Sequence, residues 1–515
     1  MGVDEWFLVA AQRGNPHTTL DRRRGDGLAW TVGNQVVPHV DGASYYAALL
    51  AAVREMVGGD LLMFTDWRGD PNERLAGPET EISRVLCQAA RRGVIVKGLV
   101  WRSHTDRIQF SAAENDHLGD EIEAAGGECL RDMRVRVGGS HHQKFIVLRH
   151  PGRPHRDVAF VGGIDLCHGR RDDPTHAGDP QPPPIAAVYG RRPPWHDVQL
   201  EIHGPAVGDV EATFRERWTD PAPLTRNPLH RVRDTLARED TTANVLPPPM
   251  PDPSPAGTLA VQLLRTYPYR RRGYPFAPRG ERSVARGYLK AVAAARTLIY
   301  LEDQYLWNAR VAGCFAEALR GNPELRLIAV VPRYPDQGGR LSGPPQLVGR
   351  WRALATLRAA GGDRVAVYCP HNGEDVPIYV HAKVCVVDDA WASVGSDNVS
   401  RRSWTHDSEL TCAVWDPDSA FARDLRVRLA SEHLELGDAE EVRDPVRTFD
   451  AFAESSARLL SWVSGGRRGK RPPGRLLPYR PPELSRWKLN WAGLLYQSIY
   501  DPDGRPRDLR RVDAF

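Results

Sequence analysis

Lysine is nearly missing from this chain. Of 515 residues, 69 are basic, yet only six are lysine (Lys97, Lys144, Lys290, Lys383, Lys470 and Lys488) and the rest are arginine. A position that holds lysine is therefore informative. Long hydrophobic runs are missing too: no window approaches the roughly 18 apolar residues of a spanning helix. The run from Trp6 to Ala11 is short and follows acidic residues, unlike a secretory signal. The seven cysteines lie far apart and make no C-x-x-C pair, so neither a disulfide framework nor a zinc site is indicated. No sign of charge dominates, and a net charge of +4 is too small for a protein coated in nucleic acid. With 41% hydrophobic and 26% charged residues the composition is globular, which excludes global disorder and a fibrous repeat. These features predict a soluble, cytoplasmic, monomeric protein, peripheral at a membrane if it meets one at all.

What the chain does contain is a repeat. A helical stretch from Tyr45 leads into the run 61–67, and a second from Tyr288 leads into the run 298–304, with Asp66 and Asp303 offset by 237. The peptide 124–128 (AAGGE) recurs as 359–363 (AAGGD) at an offset of 235, and His142-Gln143-Lys144 recurs as His381-Ala382-Lys383 at 239. Landmarks in one order at nearly constant spacing indicate one unit used twice. Strand-length apolar runs alternate with amphipathic helical stretches in each copy, the α/β pattern. The boundaries read as an extension over 1–37, a first half over 38–240, a Pro-rich linker over 241–258 and a second half over 259–515 with a C-terminal extension. Prolines in the linker deny it both helix and ladder. The Pro-rich stretch 180–184 reads as a surface loop, and the basic stretch 465–473 as a solvated one.

The two His-x-Lys tripeptides carry the chemistry. Each opens an apolar run of strand length, where residues two apart share a face, so imidazole and ammonium present together. Each run turns and returns through small residues, Gly162-Gly163-Ile164-Asp165 and Gly395-Ser396-Asp397-Asn398, whose backbone can approach a ligand closely. With lysine so scarce, two lysines at matched repeat positions are a rare coincidence unless the site requires a point charge rather than a planar fork. Two histidines and two lysines suit a phosphodiester: one imidazole attacks phosphorus, the other protonates the leaving oxygen, and the cations hold the nonbridging oxygens. No metal or other cofactor is needed by that scheme. Metal-binding patterns are weak, since there is no His-Glu-x-x-His and the His141-His142 doublet points its rings to opposite faces.

These residues resemble the phospholipase D superfamily, whose signature is His-x-Lys, four residues, Asp, then a Gly-Gly or Gly-Ser turn. The second copy fits throughout, with Asp388 and the Gly395 to Asn398 turn. The first resembles the eukaryotic-type phosphatidylcholine-hydrolysing branch, as do Asp41-Gly42, Trp195-His196-Asp197-Val198, Glu302-Asp303-Gln304-Tyr305 and Asp407-Ser408-Glu409. The resemblance implies a fold of two similar α/β/α sandwich halves about a pseudo-twofold axis, with the active site at their interface. It implies His142 as nucleophile, His381 as general acid, and Lys144, Lys383 and Asn398 on phosphate oxygens. Asp388 would complete the second catalytic motif. Asp197 and Glu409 would orient the histidines, while Gly163, Asp165, Ser396, Glu302 and Gln304 would contact substrate. The substrate would be a phospholipid at a membrane surface, with no nucleic acid partner. Other readings of the same residues are a nuclease-type phosphodiesterase and a non-catalytic phospholipid-binding module.

One position departs from the pattern: Arg149 stands where the first copy should carry Asp. The first hairpin is six residues longer, so the Asp is displaced to Asp157 or lost, a structural variation on this reading. The stretch from Tyr267 to Tyr274, aromatic and basic, is a candidate for contact with a bilayer surface.

Overall fold

The computed structural model describes residues 2–104, 112–183, 185–237, 239, 241–337, 342–482 and 484–515. Pro184 in the Pro-rich loop and Asp240 at the expected end of the first half fall outside them. The apolar runs become strands: β1 (Thr31–Val40), β2 (Leu61–Asp66), β3 (Ile95–Trp101), β4 (Glu128–Asp132), β5 (Phe145–Arg149), β6 (Val158–Gly162), β7 (Trp195–His196) and β8 (Val198–His203). The second set is β9 (Leu259–Tyr267), β10 (Glu281–Arg282), β11 (Leu298–Asp303), β12 (Arg326–Val330), β13 (Val365–Pro370), β14 (Tyr379–Val380), β15 (Lys383–Val387), β16 (Trp391–Gly395), β17 (Glu409–Trp415) and β18 (Leu476–Pro478).

The duplication is visible in the sheet. One half runs β1-β8-β6-β5-β2-β3-β4 and the other β9-β17-β16-β15-β11-β12-β13. Directions match as well: β2, β3 and β4 are parallel, as are β11, β12 and β13, and the remaining pairs are antiparallel. The halves meet edge to edge where β1 pairs antiparallel with β9, Thr31 opposite Val261. Strands covered on both faces lose the polar alternation, which is why all six residues of β2 and of β11 are buried.

Helices Gly42–Arg54 and Ile82–Arg91 cover the outer face of the first half, where Tyr46, Leu49, Ile82 and Leu86 pack on Leu62 and Phe64. Helices Ser283–Ala294 and Ala309–Gly321 do the same for the second, with Tyr288 and Phe315 on Ile299 and Leu301. The inner faces share one core, to which helix Ala206–Trp218 contributes Phe214 and Trp218 and helix Ala420–Leu434 contributes Leu425 and Leu429. Each such fully buried side chain stabilises the fold by about 1.5–3 kcal/mol. The result is two α/β/α sandwiches with a common middle.

Two segments lie elsewhere than the sequence suggests. Residues Trp6, Phe7 and Leu8, expected ahead of the first half, are buried on the second, against Leu264, Val284 and Phe515. Arg13 anchors this strap on Glu281 and the Leu263 carbonyl. The aromatic stretch expected at a bilayer is interior: Tyr267 and Tyr274 are buried with Phe276, and Arg270 stacks 3.5 Å over Tyr274. The buried rings satisfy one another, and of this stretch only Arg271 and Arg272 are exposed.

Candidate active site

The two halves exchange partners at the site. Parallel pairing of β7 with β14 sets Trp195 opposite Tyr379 and His196 opposite Val380, so the strand ends carrying the acidic and histidine motifs run side by side. The His381 amide donates to the His196 carbonyl at 2.8 Å, and the His142 amide donates to the Ser408 carbonyl at 3.0 Å. One residue further along each chain stands a carboxylate. Glu409 of the second half meets Nδ1 of His142 at 2.8 Å, and Asp197 of the first half meets Nδ1 of His381 at 2.6 Å. Each imidazole is thus held by the opposite half with Nδ1 engaged, leaving Nε2 for chemistry.

Lys144 and Lys383 lie beside these dyads. Lys144 donates to the His142 carbonyl at 2.8 Å, meets Asp165 at 3.4 Å and lies 5.9 Å over the Trp67 ring. Lys383 donates to the His381 carbonyl and, at 3.1 Å, to Oε1 of Gln304. Trp67 and Gln304 occupy equivalent places one residue past β2 and β11, so the same lysine has an aromatic neighbour in one half and an amide in the other. Asn398 is buried, and its Oδ1 has no protein partner. Gly163 is required by space: a Cβ there would lie 2.2 Å from Oδ1 of Asp197. Ser396, its counterpart, donates to Glu409 at 2.6 Å and accepts from the Leu410 amide, so it fixes the carboxylate rather than offering itself to substrate.

Electrostatics follow from burial and the cations. Burial, with the ammonium groups of Lys144 and Lys383, pushes the His142 imidazole well below its usual pKa. Burial, Lys383 and Arg170 do the same to His381. Burial raises Asp197 and, more strongly, Glu409. Burial also lowers Lys383 to about 8. Against the cost of burial, Lys144 and Arg170 hold Asp165 low, while burial and Asp165 raise its neighbour Asp66. An anion placed between the lysines would relieve the crowding of positive charge and favour protonated imidazole.

Two expected site residues stand apart. Asp388 lies in the turn after β15, at φ 52°, and accepts from the amides of Thr297 and Leu298 at 2.8 and 2.9 Å and from that of Arg296. It secures the start of β11, at the other end of β15 from Lys383. Glu302 shares a face with Gln304, as strand alternation requires, but sits one step deeper. His196 and His433 engage it at 2.7 and 2.8 Å and the Tyr300 hydroxyl donates to it, so it lines no open space. Arg170 is a residue that sequence reasoning missed. It is buried, 4.0 Å over the Trp195 ring and 3.3 Å from Asp165, and no pattern marks it except its place five residues after Asp165.

Beyond the residues singled out from sequence, the described residues include a group whose atoms could hold a cation. Asp41, His176, His196 and Glu432 converge, with His196 Nδ1 3.2 Å from both carboxylates and His176 Nε2 3.0 Å from Glu432. The far nitrogens are bonded as they are in metal-ligating histidines, His176 to the Trp195 carbonyl at 3.0 Å and His196 to Glu302. One oxygen of Asp41 has no partner. The four can hold a divalent cation or, with both imidazoles protonated, close as an ion-pair cluster. They are far apart in sequence, which hid them.

Comparison with known proteins agrees with this geometry. A phospholipase D family model matches residues 75–311, and the PLD-like domain of cardiolipin synthase matches residues 343–431. The chain belongs to the phospholipase D superfamily. It is 26% identical over 496 residues to phospholipase D alpha 1 of Oryza sativa subsp. japonica, covering 72% of this chain and 60% of that protein. It is 27% identical over 515 residues to phospholipase D beta 2 of Arabidopsis thaliana, covering 73% and 55%. The chain therefore spans little more than half the length of these superfamily members. Among solved structures, phosphatidylserine synthase of Haemophilus influenzae Rd KW20 shares the fold with a TM-score of 0.53 at 14% identity, covering 82% of this chain and 94% of that one.

Proposed function

We propose that the chain is a phospholipase D-type phosphodiesterase that hydrolyses a glycerophospholipid of phosphatidylcholine type to phosphatidate and free alcohol. The reading rests above all on the crossed dyads, His142 with Glu409 and His381 with Asp197. Nε2 of His142 attacks phosphorus, the bond to the head-group oxygen breaks, and that oxygen takes a proton from His381. The phosphohistidine carries positive charge at Nδ1, opposite the Glu409 carboxylate. Water, or an alcohol in its place, then returns a proton to His381 and attacks phosphorus, releasing His142 and the product. Lys144, Lys383 and the amide of Asn398 hold the nonbridging oxygens, where charge accumulates. Asp197 and Glu409 fix the tautomers.

Incubating purified protein with phosphatidylcholine vesicles and ethanol tests this reading. Phosphatidylethanol and choline are expected; turnover of nucleic acid alone, or binding without turnover, would overturn it. His142→Asn and His381→Asn should each reduce turnover by at least about 10²–10⁴-fold.

A further inference from the structure

Two helices carry apolar side chains on the outside, and both are tied to residues just past the strands that carry the site. The first, Pro228–Ala237, is turned inside out. Leu229, Val232 and Leu236, spaced to form one stripe, are 77, 58 and 80% exposed, while the inward residue is Asp234, bound to Arg102. The second, Arg486–Leu495, runs on into residues Tyr496–Tyr500. It packs Ala492 and Tyr496 against Trp307 yet leaves Trp487, Leu494 and Ile499 58–74% exposed.

Their position relative to the site follows from the strand ends. Arg102 lies one residue past β3, and the Met133 amide, one past β4, donates to the Leu224 carbonyl just before the first helix. From β3 the rings lead to the nucleophile: Trp101 stacks on Trp67 at 5.7 Å and Trp67 lies 6.0 Å from His142. In the other half Gln304, bonded to Lys383, is followed by Tyr305 stacked on Trp307 at 3.8 Å, and Trp307 meets Tyr496 at 6.0 Å. Arg401, three residues past Asn398, donates to the Asp501 carbonyl at 3.0 Å, closing the second helix onto the same rim.

We infer that this rim is a docking face for a phospholipid bilayer bearing anionic head groups, seated through the two outward apolar stripes on either side of the site. The inference rests on the function proposed above. Charge selects the occupant. In the first helix and its approach, Arg226 and Arg231 are exposed, and the single carboxylate, Asp234, is spent on Arg102. The second helix contains no acidic residue. Apolar stripes flanked by cations are the composition of helices that lie in a membrane interface.

The test is flotation of the full chain with phosphatidylcholine vesicles containing phosphatidylglycerol, alongside turnover of a short-chain phosphatidylcholine kept below its micelle concentration. Leu229→Ser combined with Leu236→Ser, and separately Trp487→Ser combined with Leu494→Ser, should each weaken vesicle binding at least tenfold and leave monomer turnover unchanged. Arg226→Glu with Arg231→Glu should weaken binding to the anionic vesicles only. All these side chains are exposed, and an unchanged unfolding midpoint checks that the variants fold. Vesicle binding equal to wild type, or no binding by wild type, overturns the inference. So does a change of oligomeric state in light scattering without loss of vesicle binding, which would assign the face to a second copy of the chain. Failure of the proposed function reads differently, as absent turnover of the monomeric lipid.

Discussion

A histidine that attacks phosphorus must be neutral, while a lysine that holds phosphate must be charged, and burial acts on both. His142 is pushed well below the usual histidine value of about 6.5, so its reactive form is present above that lowered pKa and lost only as pH falls through it. Lys383, lowered to about 8, is charged below that value and loses its charge as pH rises through it. With a substrate whose leaving group needs no proton from His381, a plot of kcat/KM against pH should therefore show its acid limb below the ordinary histidine range and an alkaline limb near 8. Lys383→Gln should remove the alkaline limb. Gly163→Ala should displace Asp197 and cost about 10²-fold in kcat and about 1–3 kcal/mol in stability, since the added methyl has nowhere else to go. His142, Lys144, His381 and Lys383 were legible in sequence because duplication repeats them against a background of arginine. Trp67 and Arg170 were not, because their contacts arise only when strand ends meet.

At the scale of elements, the hairpins β5–β6 and β15–β16 solve one problem with opposite charges. In the second half Asp388 ties the turn to backbone amides before β11. In the first, Arg149 occupies the matching place opposite Leu61 and is fully buried between Asp157 at 3.0 Å and Glu211 at 2.7 Å. The six extra residues include the turn Pro154–Arg156, which returns Asp157 to Arg149. Arg149→Leu should strand two buried carboxylates and destabilise the fold by about 3–5 kcal/mol, with kcat per folded molecule unchanged. Asp388→Ala should cost about 1–3 kcal/mol, again without loss of kcat. Denaturant titration with activity assay checks both; collapse of kcat in a folded variant would return the residue to the active site. Sequence alone placed the strands and the insertion but not these roles, because the motif position names a residue and the turn geometry decides what it bonds.

Across the whole molecule, the offsets of 235–239 residues foretold two equivalent halves, and the matching sheet orders show them. What no offset conveys is the exchange between them. Glu409 lies 267 residues from the histidine it orients and Asp197 lies 184 from its own, so neither half holds a complete dyad. The central claim is that this arrangement makes His142 the nucleophile and His381 the proton carrier. The most direct test uses His381→Asn with a phosphatidyl ester of 4-nitrophenol, whose leaving group needs no acid, quenched in base and digested for peptide mass analysis. The first step should proceed and the second stall, leaving a phosphatidyl group on His142. An adduct on any other residue, or product released at the wild-type rate with no adduct formed, would contradict the account.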